Sequence, residues 1–443
     1  MKPTFTYKNI WSIAYPIILG SIAQNIVNIT DTAFLGHYGQ VELAASAIAG
    51  IFYFGVFMLG YGFAIGTQII IARRNGEQNY KDIGKNVDHA IYFVMLLAIV
   101  LFVFLRFISP YVLKMAISSP QIYEKTVDFI QIRSFGLFFA FISSIIAAFY
   151  VGITKTKVIT MSYVFMSIVN ILFAWILIFG NLGFSAYGIK GAAYANVFAE
   201  ISAVLFFIGY TVLFTDLKKY DLFRFLKPVR TTFNTLITIS FPVMIQFLIS
   251  MSAWLIFFLL VEKMGERSLA VSNIVRSVYI VLMIPIWGFG AAVNTLVSNL
   301  MGQKKLDEVM PVIYKTLILC SGFIIIPVIF TFIAPELWIK LYTSDISIIE
   351  DCISPLYVVN SVMVFIATAF ILFHGVTGTG KTGVSLIIET SVIVLYLSYV
   401  FIFSNVFKTS VALVWTSEFI YALFLALFSF LYLRYGKWQK LKI

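Results

Sequence analysis

Asp31 is the residue best placed to carry an ion. It ends the polar run Gln24-Asn25-Ile26-Val27-Asn28-Ile29-Thr30-Asp31 inside a long apolar stretch. Gln24, Asn28 and Asp31 stand at i, i+4 and i+7, so a helix carries all three on one face. A charged side chain in hydrocarbon costs at least about 2.5 kcal/mol, and such residues face cavities and mark ion or proton paths. The plainer alternative is an Asp solvated at the outer interface, where the stretch ends. Glu200 lies four residues after Asn196 and on its face, and Asn170 lies in the preceding apolar run. These three are expected to complete the pocket of Asp31, although Asn170 and Asn196 could equally serve as hydrogen-bonding links between helices. Pro16, earlier in the first stretch, removes a backbone hydrogen bond and gives that helix a place to bend, as do Pro242 and Pro285 elsewhere.

A second group, Arg276, Glu389 and Glu418, lies in apolar surroundings further along. Unpaired burial is expensive, so a charge-paired network is expected, with either glutamate as the partner of Arg276. Gly375-Val376-Thr377-Gly378-Thr379-Gly380-Lys381-Thr382 matches the phosphate-loop pattern letter for letter. That loop needs a strand before it, whereas long apolar runs flank it here, so it reads as a basic turn and not as a nucleotide site. Gly60 to Gly66 reads as small residues for close helix packing. His37, His89 and His374 are scattered, and Cys320 and Cys352 sit in apolar runs, so neither a metal site, a cofactor nor a disulfide is indicated.

The elements that hold these residues follow from composition. Of 443 residues, 61% are hydrophobic and only 12% are charged, against roughly 25% charged in a soluble domain. Mean hydropathy is +0.97. A water-soluble enzyme, a disulfide scaffold and a disordered chain are excluded, which leaves an all-α polytopic membrane protein. About twelve runs are long enough to span a bilayer, near 10–35, 45–72, 88–108, 128–152, 156–180, 187–214, 232–261, 270–300, 311–334, 350–377, 384–405 and 409–433. The first is too long for a cleavable signal and reads as a retained span. Counted alternately round the loops, roughly two thirds of the basic residues fall on one side. They include Lys2, Arg73, Arg74, Lys155, Lys218, Lys219, Arg230, Lys304, Lys381, Arg434 and Lys442. This bias places both termini in the cytoplasm and accounts for the net charge of +11 without nucleic acid, and the expected location is the cell's inner membrane.

Laid on itself at an offset of 226, the chain repeats: Pro16 falls on Pro242, Gly39 on Gly265, Gly152 on Gly378, and Lys155-Thr156 on Lys381-Thr382. The offset covers an even number of spans, so two parallel six-helix lobes are expected, at 1–217 and 232–443, joined by a cytoplasmic linker at 218–231. Parallel repeats of this kind are a plan used by secondary transporters, whose halves rock to give alternating access to a central site.

Pro16 with Asp31-Thr32-Ala33-Phe34-Leu35-Gly36-His37 resembles the first-span signature of multidrug and toxic compound extrusion (MATE) transporters. Gly152, Gly378 to Thr382, and Gly191-Ala192-Ala193-Tyr194-Ala195 with Ala199-Glu200 resemble further family motifs, and the likeness covers nearly the whole chain. Within the family it is most similar to the DNA-damage-inducible (DinF) branch. The resemblance implies cation-coupled export of bulky, amphipathic or cationic organic compounds, with Asp31 carrying the ion and Asn170 in its pocket. The chain departs from the family where Ala174 replaces a second polar residue and Asn196 a pocket Thr. Ser250 and Ile366 stand where sodium-coupled members carry acids. Coupling is therefore expected in the N-terminal half, to protons rather than sodium, with Na+ at the Asp31 pocket as the alternative. Two rivals remain: a flippase for a lipid-linked precursor, and a membrane-embedded enzyme or ATPase.

Overall fold

The computed structural model describes residues 5–225 and 227–440; Lys2 and Lys442 lie outside them. Among the described residues every regular element is helical, and twelve helices are long and apolar enough to cross a membrane. We number them α1 (Tyr7–Tyr38), α2 (Gln40–Gly76), α3 (Tyr80–Val103), α4 (Pro120–Gly152), α5 (Lys157–Phe179), α6 (Ile189–Phe214), α7 (Arg230–Glu262), α8 (Glu266–Gly302), α9 (Val309–Ile333), α10 (Ile346–Gly378), α11 (Thr382–Phe401) and α12 (Ser417–Tyr435). Each overlaps one of the expected spans. A helix suits the bilayer because it satisfies every backbone polar group within its own segment.

Local chemistry fixes the ends. Ser119 and Pro120 start α4, with Pro at a position that needs no donor and the serine side chain accepting from Ile122 N. Asp345 caps α10 by accepting from Ser347 N at 2.9 Å. Asp345 lies outside the membrane helices, and these hydrogen bonds hold its carboxyl below the usual range. The Gly375–Thr382 run is the end of α10, a turn and the start of α11, so no strand precedes it.

The repeat is built into the helices. Shifting both ends of α2 by 226 gives both ends of α8, and the same shift takes α4 to α10. The turns agree too. Gln78 and Lys304 both have left-handed backbone (φ 58° and 59°), as do Thr154 and Gly380 (φ 63° and 88°). Gly152 and Gly378 show why small residues recur. A Cβ on Gly152 would meet Ile71 at 2.6 Å, and one on Gly378 would meet the Asn294 carbonyl at 2.6 Å. In each half a glycine thus lets two long helices close to backbone contact.

The chain forms two compact units, Leu19–Met244 and a second made of the residues up to Ile18 with Ile245–Ile443. The sequence reading put the division at the 218–231 linker; compactness puts it inside α1 and α7. Both breaks fall two residues after a proline of the repeat, Pro16 or Pro242. The cause is packing. In the second unit, Trp11 of α1 lies on Phe289 and Phe323, and Ile18 fills the space a side chain on Gly288 would need. In the first unit, Ser240 of α7 does the same at Gly66. The linker belongs to the first unit: Asp88 of α3 accepts from Phe223 N (3.2 Å) and Phe225 N (2.9 Å), and His89 Nε2 accepts from Val229 N (2.8 Å).

Candidate functional site

Five helices of the first unit bring polar side chains to one place. On α6, Asn196 and Glu200 are one turn apart and share a face. Asn196 Nδ2 donates to Asp31 Oδ2 of α1 at 2.8 Å. Asp31 Oδ1 closes no hydrogen bond, and the Asn170 amide of α5, 1% exposed, stands beside the carboxylate. The α1–α5 contact is fixed by Ser167 Oγ donating to the Ala23 carbonyl at 3.0 Å.

One turn along α6, Glu200 Oε1 takes a charge-assisted hydrogen bond from Arg133 Nη1 of α4 at 2.8 Å. Both side chains are nearly buried, 12% exposed for Arg133 and 13% for Glu200. The guanidinium lies 4.1 Å above the Tyr53 ring of α2, and the Tyr53 hydroxyl stands at the Glu200 carboxyl. Gly136, one turn after Arg133, makes the recess for Glu200: any Cβ there would overlap Oε2. Arg133 also acts electrostatically on Asp31. The site therefore holds two carboxylates and one guanidinium in a nearly dry setting, where charges interact strongly.

Asp31, Asn170, Asn196 and Glu200 are thus brought together, whereas Gln24 and Asn28 are not. Gln24 is half-buried and makes no hydrogen bond to the cluster. Asn28 is exposed, and its carbonyl accepts from Thr32. Helical spacing put them on the face of Asp31, but no hydrogen bond ties either side chain to the polar groups of α5 and α6. Arg133, Tyr53 and Gly136 were missed. Arg133 stands near the start of the expected 128–152 span, where it reads equally well as a flanking charge.

The second unit corrects an expectation. Arg276 pairs with neither glutamate, and among the described residues no carboxylate oxygen lies within salt-bridge distance of it. Its guanidinium stacks 4.7 Å from the Phe258 ring. Hydroxyls hold the carboxyls instead. Glu389 accepts from Ser250 and Tyr421, each at 2.9 Å, and Glu418 from Tyr279 (3.2 Å) and Tyr396 (3.3 Å). Both glutamates are 3% exposed. Arg276 is half-buried on α8, whereas Tyr279, one turn further on, is buried and reaches Glu418 with its hydroxyl.

The sequence profile described as MatE matches residues 16–176 and again 242–403, two matches whose starts lie 226 residues apart. A relative called "Probable multidrug resistance protein NorM", from Thermotoga maritima, is 22% identical over 438 residues, covering 98% of this chain and 93% of the relative. One of the same name from Agrobacterium fabrum is 26% identical over 321 residues, covering 70% and 68%. A solved structure described as the outward-facing conformation of a multidrug resistance MATE family transporter of the MOP superfamily superposes with a TM-score of 0.89 at 19% identity, covering 97% of this chain and 96% of that one. Another, described as MATE in the bent conformation, gives 0.87 at 20% identity, covering 96% and 94%.

Proposed function

The chain belongs to the MatE family of multidrug efflux transporters and is no enzyme, and on that premise we propose that it is an antiporter exporting organic, amphipathic or cationic compounds against a proton taken up at Asp31. The observation that carries this reading is the cluster of Asp31, Asn170, Asn196, Glu200 and Arg133 inside the membrane helices of the first unit. A proton on Asp31 removes its charge and so lowers its cost in apolar surroundings. Protonation then biases α1 between two shapes about Pro16, and the transporter exposes its cargo site to one side and then the other. One pH unit supplies about 1.4 kcal/mol per proton. A membrane potential of about 100 mV adds about 2.3 kcal/mol per charge. Either shifts a two-state equilibrium tenfold or more. The Asp31 to His37 string and Ala199-Glu200 support a place in the DinF branch. The basic bias supports an inner-membrane protein with both termini in the cytoplasm.

A lipid-linked precursor is the second reading of the cargo. Arg276, with no carboxylate in reach among the described residues, favours it, since a free guanidinium suits an anionic headgroup. Vesicles holding the reconstituted protein, with pH and sodium gradients imposed separately, test the main reading. Efflux of the fluorescent cation ethidium is expected to follow the pH gradient alone. Efflux driven by sodium alone moves the coupling ion to Na+, and transport of neither ethidium nor any other organic cation defeats the cargo assignment.

A further inference from the structure

Two carboxylates and one guanidinium share the buried site of the first unit, and their charges do not cancel. Arg133 is bound to Glu200 at 2.8 Å and held from behind by the Tyr53 ring at 4.1 Å. Gly136 reserves the space in which Glu200 sits. Of the other acids on these helices, Glu42 pairs with Lys125 at 3.4 Å, Asp128 pairs with Lys190 at 3.1 Å, and Glu124 is exposed near the start of α4. Facing Asp31 are therefore Arg133 of α4, Glu200 and Asn196 of α6, Asn170 of α5 and, at Glu200, Tyr53 of α2.

Resting on the reading of Asp31 as the coupling residue, we propose that Arg133 is the fixed counter-ion of this pocket. By cancelling Glu200 it leaves a single negative charge, on Asp31, so the first unit carries one proton per cycle and rejects Na+. A proton needs one oxygen: an O–H bond forms at Asp31 with a proton from one aqueous side and breaks as the proton leaves to the other, with no other bond changed. A sodium ion needs several oxygens turned toward it. Around Asp31 the unpartnered oxygens among the described residues are its own Oδ1 and the amide oxygen of Asn170, too few for a sodium shell. Asn196 points an amide N–H at the carboxylate, and Arg133 adds the field of a guanidinium. Arg133 thus acts as a positioning residue, setting how much charge the site must take up and of what kind.

Removing the guanidinium charge leaves two uncompensated carboxylates, which call for two monovalent cations. The test uses the purified full-length protein, with melting temperature compared in sodium chloride and in choline chloride of equal ionic strength. Wild type is expected to melt alike in both salts. Arg133→Gln is expected to melt a few degrees higher in sodium, an effect lost in Arg133→Gln/Asp31→Asn, and its ethidium efflux should steepen from one proton to two. Arg133→Lys and Arg133→Gln/Glu200→Gln, which keep the wild-type net charge, are expected to show the wild-type salt and pH behaviour. The proposal is overturned by sodium stabilisation of wild type, or by a folded Arg133→Gln with no sodium response. Should Arg133→Gln not fold, the double variant decides, since a changed pH slope or a sodium effect there also overturns it. Normal efflux by Asp31→Asn refutes the coupling assignment instead, while the salt comparison reads Arg133 without any transport.

Discussion

Asp31 stands beside Asn170 in the N-terminal half; at the same register, 226 residues on, the C-terminal half stacks Phe257 on Tyr396 with ring centroids 6.1 Å apart. The difference continues along the helices. Arg133 corresponds to Val359, fully buried, whereas Tyr53 corresponds to Tyr279, and each of these tyrosines stands at a buried glutamate. One helical scaffold therefore accommodates an ionic centre in one half and an aromatic one in the other. A helix pair drawn together by Gly152 or Gly378 does not care which, because the glycine contact lies turns away from either centre. What the comparison teaches is how each half holds its acids: the N-terminal centre sets two carboxylates against a guanidinium, whereas the acid beside the C-terminal ring stack, Glu418, is held by the hydroxyls of Tyr279 and Tyr396.

The largest effect expected from breaking this contrast is at Asp31. Asp31→Asn keeps the shape and the hydrogen bond to Asn196, and removes the charge. Gradient-driven ethidium efflux should fall to the background of empty vesicles while expression and melting temperature stay near wild type. Wild-type rates under an imposed pH gradient would falsify the assignment and make Glu200 the next candidate.

Glu200→Gln comes next and separates the halves by stability. It strands Arg133 in a nearly dry site, and breaking a buried ion pair costs about 3–5 kcal/mol. A clear loss of melting temperature is expected, partly restored by Arg133→Gln in the same chain. Additive losses in the double variant would show that the two residues do not act as a pair.

Gly136→Ala is smaller. The new methyl occupies the place of Glu200 Oε2, and overpacking of this sort costs about 1–3 kcal/mol. Efflux should drop with it, because Glu200 is displaced from Arg133. In a Glu200→Ala background, which already strands Arg133, Gly136→Ala should cost no further melting temperature, because the carboxylate it overlaps is gone, and efflux should not return. If Gly136→Ala is silent in both measurements, the recess is not needed.

The twelve spans and the repeat were legible because hydropathy and glycine spacing are properties of neighbouring residues. The grouping of Asp31 with Asn196 and Glu200 was legible for the same reason, each being polar in an apolar run. Arg133 was not, since it lies near the start of its span and counts equally well as a flanking charge. In the C-terminal half the error was to seek an opposite charge for every buried one. Tyr279, Tyr396 and Tyr421 hold the two glutamates, and nothing in the sequence separates those tyrosines from the many aromatics that face lipid. Gln24 and Asn28 show the converse: helical spacing puts residues on a face, but only tertiary contact decides which part of that face is covered.

The smallest effects, and the sharpest test of the comparison, are expected from Glu389→Gln and Glu418→Gln. Each carboxyl is held only by hydroxyls, which can donate to an amide oxygen as they do to a carboxyl oxygen. No cation among the described residues is stranded by the change, so the large penalty expected at Glu200 does not arise. Each substitution should cost no more than about 1 kcal/mol, the net worth of one ordinary hydrogen bond, and leave pH-driven efflux within about twofold of wild type. Arg276→Ala belongs with them: it loses a ring contact worth about 0.5–1 kcal/mol and strands no carboxylate. Efflux and melting temperature measured side by side for Glu200→Gln, Glu389→Gln and Glu418→Gln therefore rank the two halves directly. If Glu418→Gln abolishes pH-driven efflux with its fold intact, the hydroxyl-held acids carry protons too, and the division of labour between an ionic half and an aromatic half fails.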